Sequence, residues 1–252
     1  MTQDHHSATP AVFHWRLESE PLPAVARALI FGRAARNALM AAMNGFGIER
    51  LPDGLHHAGP EGDSAFWLPL DEDDDGLIDH FCCIHPPGLP GELLPAFAAG
   101  GRAALGPAPG RRDGGGAWRL RPVWMGPLLP GSLLGPARLW TSVTPYVTPR
   151  ETRRTPDGPM RPGRALEDQV RRDCVQKSLP APFGIAVASH RPTAHGEMLA
   201  AMDFELTGLG HKPPPRDAEA AFVDLAFREP VSGPLALGHG AHSGLGLFRP
   251  TV

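Results

Sequence analysis

Residues 11–47, AVFHWRLESEPLPAVARALIFGRAARNALMAAMNGFG, contain a strand followed by a long helix. In the first eight residues, aromatic and aliphatic side chains alternate with polar ones, which is typical of a half-buried strand. A helix is predicted after the prolines, because apolar residues recur at helical spacing until Asn44-Gly45, a helix-stop signal. This strand and helix begin the order of elements that determines the fold.

Four further segments complete that order in the first half of the chain. Strands are predicted at 64–70 and 77–85, joined by an acidic turn, because both are rich in aromatic and aliphatic residues. A second helix, broken by Pro95, is predicted at 90–105, and a last alternating strand at 117–125. The order βαββαβ predicts a ferredoxin-like arrangement.

The second half begins in the same way and then loses one helix. Strands are predicted at 137–143, 183–190, 201–208 and 221–227, and a helix at 165–179, with 183–190 and 201–208 as a strand pair.

We therefore predict an α+β fold of two tandem ferredoxin-like domains, the second with a C-terminal glycine-rich loop. The predicted divisions are a disordered tail at 1–10, a first domain at 11–130 and a second domain at 131–252.

The charge of the 252-residue chain is small and unevenly divided. A net charge of −3 argues against a protein that coats nucleic acid by charge alone. Residues 1–120 have a balance of −6, and residues 121–252 one of +3. This asymmetry is typical of a protein that presents one face to phosphates.

Cysteine usage and hydropathy exclude several classes of protein. The three cysteines, Cys82, Cys83 and Cys174, form no CxxC pair and are odd in number, so neither a disulfide framework nor a zinc ribbon is expected. No apolar run approaches membrane-spanning length, and the polar N-terminus has no signal-peptide core. We expect a soluble, cytoplasmic protein with no membrane partner.

The acidic turn DEDDDGLID, residues 71–79, matches the first nine positions of a calcium-binding loop. Position twelve, which should supply a bidentate glutamate, is Cys82, and strands rather than helices flank the turn. The alternative is a solvated hairpin turn in which Asp75-Gly76 supplies the positive φ. We favour the hairpin turn and expect no metal and no cofactor.

The C-terminal stretch PVSGPLALGHGAHSGLGLF, residues 230–248, is rich in glycine. It precedes no helix and lacks Gly-Lys-Ser/Thr, which excludes dinucleotide-binding and Walker loops. One remaining interpretation is a clamp whose glycines expose backbone N–H groups to a polynucleotide; the other is a bulged hairpin. Spacing alone leaves both open.

The same stretch resembles the C-terminal glycine-rich motif of the CRISPR repeat-processing endoribonucleases of the RAMP superfamily. Further segments are similar to that family in the same order, and together they span nearly the whole chain. They are HWRLESEPLP with ARNALM, AFWLPLDEDDDGLIDH, RLWTSVTPYVTPR, EDQVRRD and FVDLAFREPVSGPLALG. The set is most similar to the processing-nuclease portion of the type I-G (formerly I-U) fusion protein, and it favours the clamp.

The resemblance implies a metal-independent endoribonuclease that binds and cleaves the repeat of precursor CRISPR RNA. In such enzymes a general base takes the proton of a ribose 2′-hydroxyl, which attacks the adjacent phosphate. The resemblance also implies that the protein stays on the mature guide RNA, as a subunit of a type I effector complex.

Three histidines and one arginine are the candidate catalytic residues. His242 lies in the glycine-rich stretch where the family also has a histidine, and histidine titrates near working pH. His80 follows the acidic turn at a matching position, and His57 lies in a loop. Arg36 lies within the apolar stripe of the first helix, where an arginine either packs along the edge of the core or reaches a phosphate; we favour the phosphate.

The candidate RNA-binding residues come from the glycine-rich stretch and from a basic loop that leads into the helix at 165–179. They are Gly238, His239, Gly240, Gly244, Gly246, Arg150, Arg153, Arg154, Arg171, Arg172 and Lys177.

A rival interpretation is a non-catalytic subunit that caps the guide RNA. The family places a histidine just before its AFWLP-type strand, whereas this chain has Asp63-Ser64 there. If that histidine is the usual base, this chain has moved the function or lost it.

Overall fold

A four-stranded antiparallel sheet with two helices packed on one face forms the first half of the protein. The computed structural model describes residues 11–46, 54–55, 64–100, 118–127, 132–150, 163, 165–207 and 212–251. The elements of the first half are β1 (Val12–Glu18), α1 (Ala28–Gly45), β2 (Phe66–Leu70), β3 (His80–Ile84), α2 (Leu94–Gly100) and β4 (Arg119–Gly126). The strand order β2-β3-β1-β4 is ferredoxin-like, as predicted.

The alternation of β1 explains which face of this sheet the helices cover. Phe13, Trp15 and Leu17 point to the helices and are buried with Phe31 of α1 and Phe97 of α2. Trp15 and Phe97 are stacked with ring centroids 6.0 Å apart. Because successive strand residues face opposite sides, the intervening residues of β1 lie on the other face, towards the second half.

The second half has the same strand order without its second helix. Its elements are β5 (Ala137–Ser142), β6 (Tyr146–Val147), α3 (Leu166–Gln176), β7 (Gly184–Ala188), β8 (His190–Pro192), β9 (Met198–Ala200), β10 (Ala220–Val231) and β11 (Phe248–Thr251). The sheet runs β11-β5-β10, with β7 on the far side of β10 and β6 continuing β5 along it. The fold is thus α+β, with two tandem ferredoxin-like domains.

One predicted strand, 201–208, is wrong. Ala201–Asp203 is a 3-10 turn, and β10 is the partner of β7, while β8 and β9 form a separate hairpin. The apolar alternation has another cause: Phe204 packs edge-on against Phe222, at 6.0 Å between centroids. The Glu205 N–H then donates to the carbonyl of Ala26 at 2.9 Å, so this extended segment bonds to the 3-10 turn Val25–Arg27, just before α1, instead of to a strand.

The glycine-rich segment, residues 232–247, replaces the missing helix and lies against the outer face of the first sheet. Its Ala236, Ala241 and Leu247 are buried in one apolar cluster with Leu68 and Cys82 of β2 and β3. The segment carries the glycine-rich loop predicted for the second domain. Its packing also means that the two halves share buried surface.

Two glycines allow this close packing. A Cβ on Gly32 of α1 would lie 2.5 Å from the carbonyl oxygen of Ser243, and a Cβ on Gly244 would lie 2.6 Å from Cδ of Pro69. Gly244 also has φ +105°, a conformation that side chains disfavour. The 3-10 turn Ala241–Ser243 therefore sits between α1 and β2 at a distance that only glycine permits.

The acidic turn at 71–79 joins β2 and β3 as a hairpin, as predicted, and Glu72 and Asp73 are exposed, but the rest of the turn is docked against the second half and is not solvated. Asp71 accepts hydrogen bonds from the N–H groups of Asp75 and Gly76 at 3.0 and 2.9 Å. Asp74 forms an ion pair of 2.6 Å with Arg191 of β8, and Arg249 of β11 donates to the Asp71 carbonyl. The expected positive φ at Gly76 is present, at +90°.

Some predictions on chain organisation lie outside the described residues, namely the tail at 1–10 and the domain boundary between 130 and 131. All three cysteines are free and buried, in keeping with the absence of a disulfide framework. In the part of the chain that the structure describes, no helix combines the length and apolar character needed to cross a bilayer.

Replacing Gly32 by alanine is expected to destabilise the protein, although alanine is the better helix former. The clash with the Ser243 carbonyl should cost about 1–3 kcal/mol, more than the ~1 kcal/mol gained in helix propensity. The matched control is Gly45→Ala at the end of the same helix, where a Cβ meets no atom within 4 Å. Urea unfolding followed by circular dichroism measures both; equal stability of Gly32→Ala and wild type would contradict the packing argument.

Candidate active site

The turn Ala241–Ser243 holds His242 against the start of β2. Its ring is stacked on Phe66, with centroids 4.5 Å apart and planes at 19°. His242 Nδ1 lies 3.2 Å from the carbonyl oxygen of Ala65. A carbonyl can only accept, so Nδ1 carries the proton in the neutral ring, and Nε2 keeps its lone pair as a proton acceptor.

The environment keeps His242 neutral at physiological pH. Burial, followed by the nearby charge of Lys177, lowers the pKa of His242 to about 4. A neutral imidazole can accept a proton at pH 7 but has none to donate as an acid. His242 is thus a neutral imidazole whose Nε2 lone pair is available as an acceptor.

Lys177 brings a positive charge to the same place. It follows the last turn of α3, where its backbone N–H donates to the carbonyls of Asp173 and Cys174, each at 3.1 Å. Its ammonium lies over the Phe66 ring, 5.4 Å from the centroid. The sequence does not connect Lys177, a predicted RNA-binding residue, with His242, a predicted catalytic residue, and it does not indicate Phe66, which contacts both. The sequence signal that could have indicated Phe66 is its place as the first aromatic residue of the AFWLP segment.

His80 belongs to a second cluster, away from His242. Its Nδ1 lies 3.1 Å from Asp79 Oδ2 and 3.4 Å from Glu72 Oε2, and His14 Nε2 lies 3.1 Å from Glu72 Oε1. In the register of the sheet, His80 is opposite Leu70, at the other end of β2 from Phe66. Four strand residues span about 13 Å, so the two histidines do not act on one phosphate group together.

Charge interactions dominate this second cluster. Burial opposes the charge on His80, but the carboxylates of Asp79 and Glu72 outweigh it and raise the pKa of His80. The contact with His14 holds the pKa of Glu72 below its ordinary value. His80 is therefore readily protonated where His242 is not.

Arg36 occupies the edge of the core. Its guanidinium donates to the carbonyl oxygen of Leu55 at 3.2 Å. Burial, with a contribution from the neighbouring Arg33, lowers its pKa. This placement matches the first of the two alternatives considered for Arg36, packing along the core edge, and its role towards a phosphate stays a prediction.

Arg150 is bound to α3 by its own side chain. It donates to Asp173 Oδ1 at 3.3 Å and to Gln176 Oε1 at 2.9 Å, while the Tyr146 hydroxyl donates to Asp173 Oδ2 at 3.0 Å. Burial raises the pKa of Asp173, so its charge depends on these donors. Arg150 therefore holds β6 and α3 together, a structural task that its place in a basic loop did not indicate.

Two of the predicted basic residues remain exposed on α3 beside Lys177. Arg171 makes a loose contact of 3.7 Å with Asp168, one helical turn away, and Arg172 is exposed. His57, Arg153 and Arg154 lie outside the described residues.

The glycines of the segment do not all have the exposure that a clamp requires. Gly244 and Gly246 are buried, and the Gly246 N–H donates to the carbonyl of Pro145 at 2.9 Å, so the expectation of exposed N–H groups is wrong at Gly246. Gly238 and Gly240 are half-buried. The neighbouring His239 donates its backbone N–H to the Val147 carbonyl at 2.9 Å.

No family model matches the sequence, and no curated protein does. Among solved structures, the chain is similar to a RAMP protein described as binding different RNA substrates, with 11% identity, a TM-score of 0.46 and coverage of 96% of this chain and 99% of that one. It is also similar to a Cas6 protein in a product complex, with 14% identity, a TM-score of 0.42 and coverage of 97% and 100%.

Proposed function

We propose that the protein is a metal-independent endoribonuclease that binds and cleaves the repeat of precursor CRISPR RNA. The observation that carries the proposal is the neutral His242 with its Nε2 lone pair, stacked on the Phe66 ring that the Lys177 ammonium also contacts. The ordered resemblance of sequence segments to repeat-processing nucleases supplies the substrate class. After cleavage the protein remains on the guide RNA as a subunit of a type I effector complex.

The chemistry needs a base and a cation within one site. His242 Nε2 takes the proton of a ribose 2′-hydroxyl, whose oxygen then bonds to the adjacent phosphorus as the bond to the 5′ oxygen breaks. The products are a 2′,3′-cyclic phosphate and a 5′-hydroxyl. Lys177 offsets the negative charge that develops on the phosphate. The imidazolium that forms is a strong acid, and it returns its proton to the leaving oxygen.

Substrate binding itself assists the base. A phosphate beside Lys177 compensates the positive charge that contributes to the low pKa of His242. The pKa then rises towards working pH, where a general base is most effective. The exposed Arg171 and Arg172 on the same helix as Lys177 extend the positive surface along the RNA.

The second candidate is a non-catalytic subunit that caps the guide RNA. It is favoured by the low pKa of His242, which makes it a weak base in the free protein, and by Asp63-Ser64 where the family has histidine. RNA binding is common to both candidates, and only cleavage distinguishes them.

Replacing His242 by alanine is expected to leave repeat affinity nearly intact and to slow cleavage by about 10²-fold or more, the usual effect of losing a general base. Single-turnover cleavage and equilibrium binding of cognate repeat RNA measure the two quantities. Wild-type cleavage should persist in EDTA, because the mechanism uses no metal. A repeat RNA with deoxyribose at the scissile nucleotide should still bind but should not be cleaved, because it lacks the 2′-hydroxyl.

Three outcomes would count against this assignment. A strict requirement for magnesium or calcium contradicts the mechanism. Cleavage by His242→Ala at the wild-type rate means that another residue is the general base. Tight binding by the wild type without cleavage of its own repeat favours the capping subunit.

The pH dependence of kcat/KM identifies the base, because this quantity reports the pKa of the free enzyme. With a pKa of about 4, His242 stays in its basic form down to about pH 5.5, so kcat/KM should change less than about twofold between pH 8 and pH 5.5. A histidine of ordinary pKa would lose about tenfold over this range, and His80, whose pKa is raised, would lose more. A loss of tenfold or more would exclude His242 as the base.

Reversing the charge of Arg171 and Arg172 together is expected to weaken repeat binding and flatten its salt dependence. Each lost phosphate contact should reduce the slope of log K against log salt by about 0.7–0.9, so the pair should reduce it by about 1.4–1.8. The matched control reverses Arg138 and Arg216, which are exposed elsewhere and change the net charge equally. An equal effect in both double variants would place the RNA on another surface.

A further inference from the structure

The cluster of His14, Glu72 and His80 brings three metal-ligating side chains together from separate elements. His14 lies on β1, Glu72 in the acidic turn and His80 at the start of β3. One ligand atom of each lies within 4.8 Å of the other two. The imidazole rings of His14 and His80 are tilted against each other with centroids 4.9 Å apart.

The separations between these atoms match those around a single ion. Zinc bonds of 2.0–2.1 Å in tetrahedral geometry place neighbouring ligand atoms about 3.3–3.4 Å apart. His14 Nε2 lies 3.1 Å from Glu72 Oε1, and His80 Nδ1 lies 3.4 Å from Glu72 Oε2. The two oxygens of one carboxylate thus each face one imidazole nitrogen.

Two imidazole nitrogens of this cluster have no hydrogen-bond partner among the described residues. His14 Nε2 and His80 Nδ1 are buried, and neither makes a hydrogen bond of acceptable geometry there, although carboxylate oxygens approach to 3.1 Å. The whole His14 residue is only 7% exposed. A buried imidazole nitrogen that faces a carboxylate needs a cation between the two atoms, and a metal ion can take the place of the proton there.

We propose that His14 Nε2, His80 Nδ1 and the Glu72 carboxylate bind one divalent transition-metal ion of the zinc class. Two imidazoles and a carboxylate suit zinc, whereas calcium and magnesium prefer oxygen alone. Asp79 lies on the same side of the His80 ring as the proposed ion: its Oδ2 is 3.1 Å from His80 Nδ1, and its Oδ1 accepts the Glu72 N–H at 3.0 Å. The backbone contact fixes the position of Glu72 relative to the two histidines.

The ion serves to fasten the acidic turn to β1 and β3. This inference does not depend on the nuclease assignment, because the site lies at the other end of β2 from His242 and takes no part in the proton transfer. The proposal departs from the expectation of no metal at the acidic turn, and it depends on His14, which sequence spacing does not connect with the turn.

The test is metal binding by the full chain without RNA. Protein stripped with chelator is titrated with zinc sulfate by calorimetry, and with cobalt chloride by visible absorption. We expect one zinc per chain, a cobalt spectrum of low-symmetry nitrogen and oxygen ligation, and a higher melting temperature with zinc, since a ligand that binds only the folded state stabilises it.

Variants separate this site from other ligands in the chain. His14→Gln, Glu72→Gln and His80→Gln should each weaken zinc binding by at least 10- to 100-fold. Two controls should keep wild-type affinity: Asp73→Asn in the acidic turn, and His5→Gln with His6→Gln in the N-terminal segment.

The wild-type titration keeps the proposal testable if a variant fails to fold. Absence of saturable zinc binding by the wild type would overturn it. So would zinc binding that survives all three ligand substitutions, or that is lost in either control. Cleavage assays do not enter these outcomes, so failure here leaves the nuclease proposal untouched.

Discussion

The close contact between the turn Ala241–Ser243 and the first sheet is the constraint on which the arrangement of the protein depends. The second ferredoxin-like unit has α3 but lacks a second helix, and the glycine-rich segment takes the place of that helix. The segment fits only because Gly32 and Gly244 have no side chains where α1 and Pro69 approach it. The same contact carries Leu245 into the buried cluster of the first half, together with Phe222 of β10. The two units are therefore joined by a common core and not by a linker alone.

Burial at this contact also determines the chemistry of the site. His242 loses water on packing against Phe66, and the loss of water holds it neutral. His80, on the same sheet, is surrounded by carboxylates and is held towards its charged form. Two histidines of equal intrinsic basicity thus have opposite protonation tendencies, set by what each one packs against. Solvation and neighbouring charge, and not residue type, distinguish the candidate base from the candidate metal ligand.

The order of the elements could be predicted from the sequence because it depends on local periodicity. The alternation in β1 and the helical spacing in α1 are properties of neighbouring residues, and both elements form as expected. The segment at 201–208 shows the limit: Phe204 alternates as a strand residue would, yet the backbone of Glu205 finds its partner in Ala26. The hydrogen-bonding partner of a backbone segment depends on contacts between residues far apart in the sequence. Local periodicity gives no information about such contacts.

The same limit applies to the candidate site. The sequence identified His242 and Lys177 but could not place them on one aromatic ring, since Phe66, which both contact, is far from each of them along the chain. The sequence predicts Arg150 as an RNA-binding residue but does not show its ion pair with Asp173 of α3. The residues next to a basic residue in a loop do not indicate whether it will form an ion pair with a carboxylate on a helix far along the chain.

The docking of the acidic turn changes what the charge asymmetry of the chain means. Asp74 forms an ion pair with Arg191, and Arg249 donates a hydrogen bond to the Asp71 carbonyl. Part of the negative excess of the first half thus faces cations of the second half inside the molecule. An approaching polyanion meets the field left after this internal compensation, and not the formal charges of two separate halves. The electrostatic repulsion from the acidic half is consequently weaker than its composition implies.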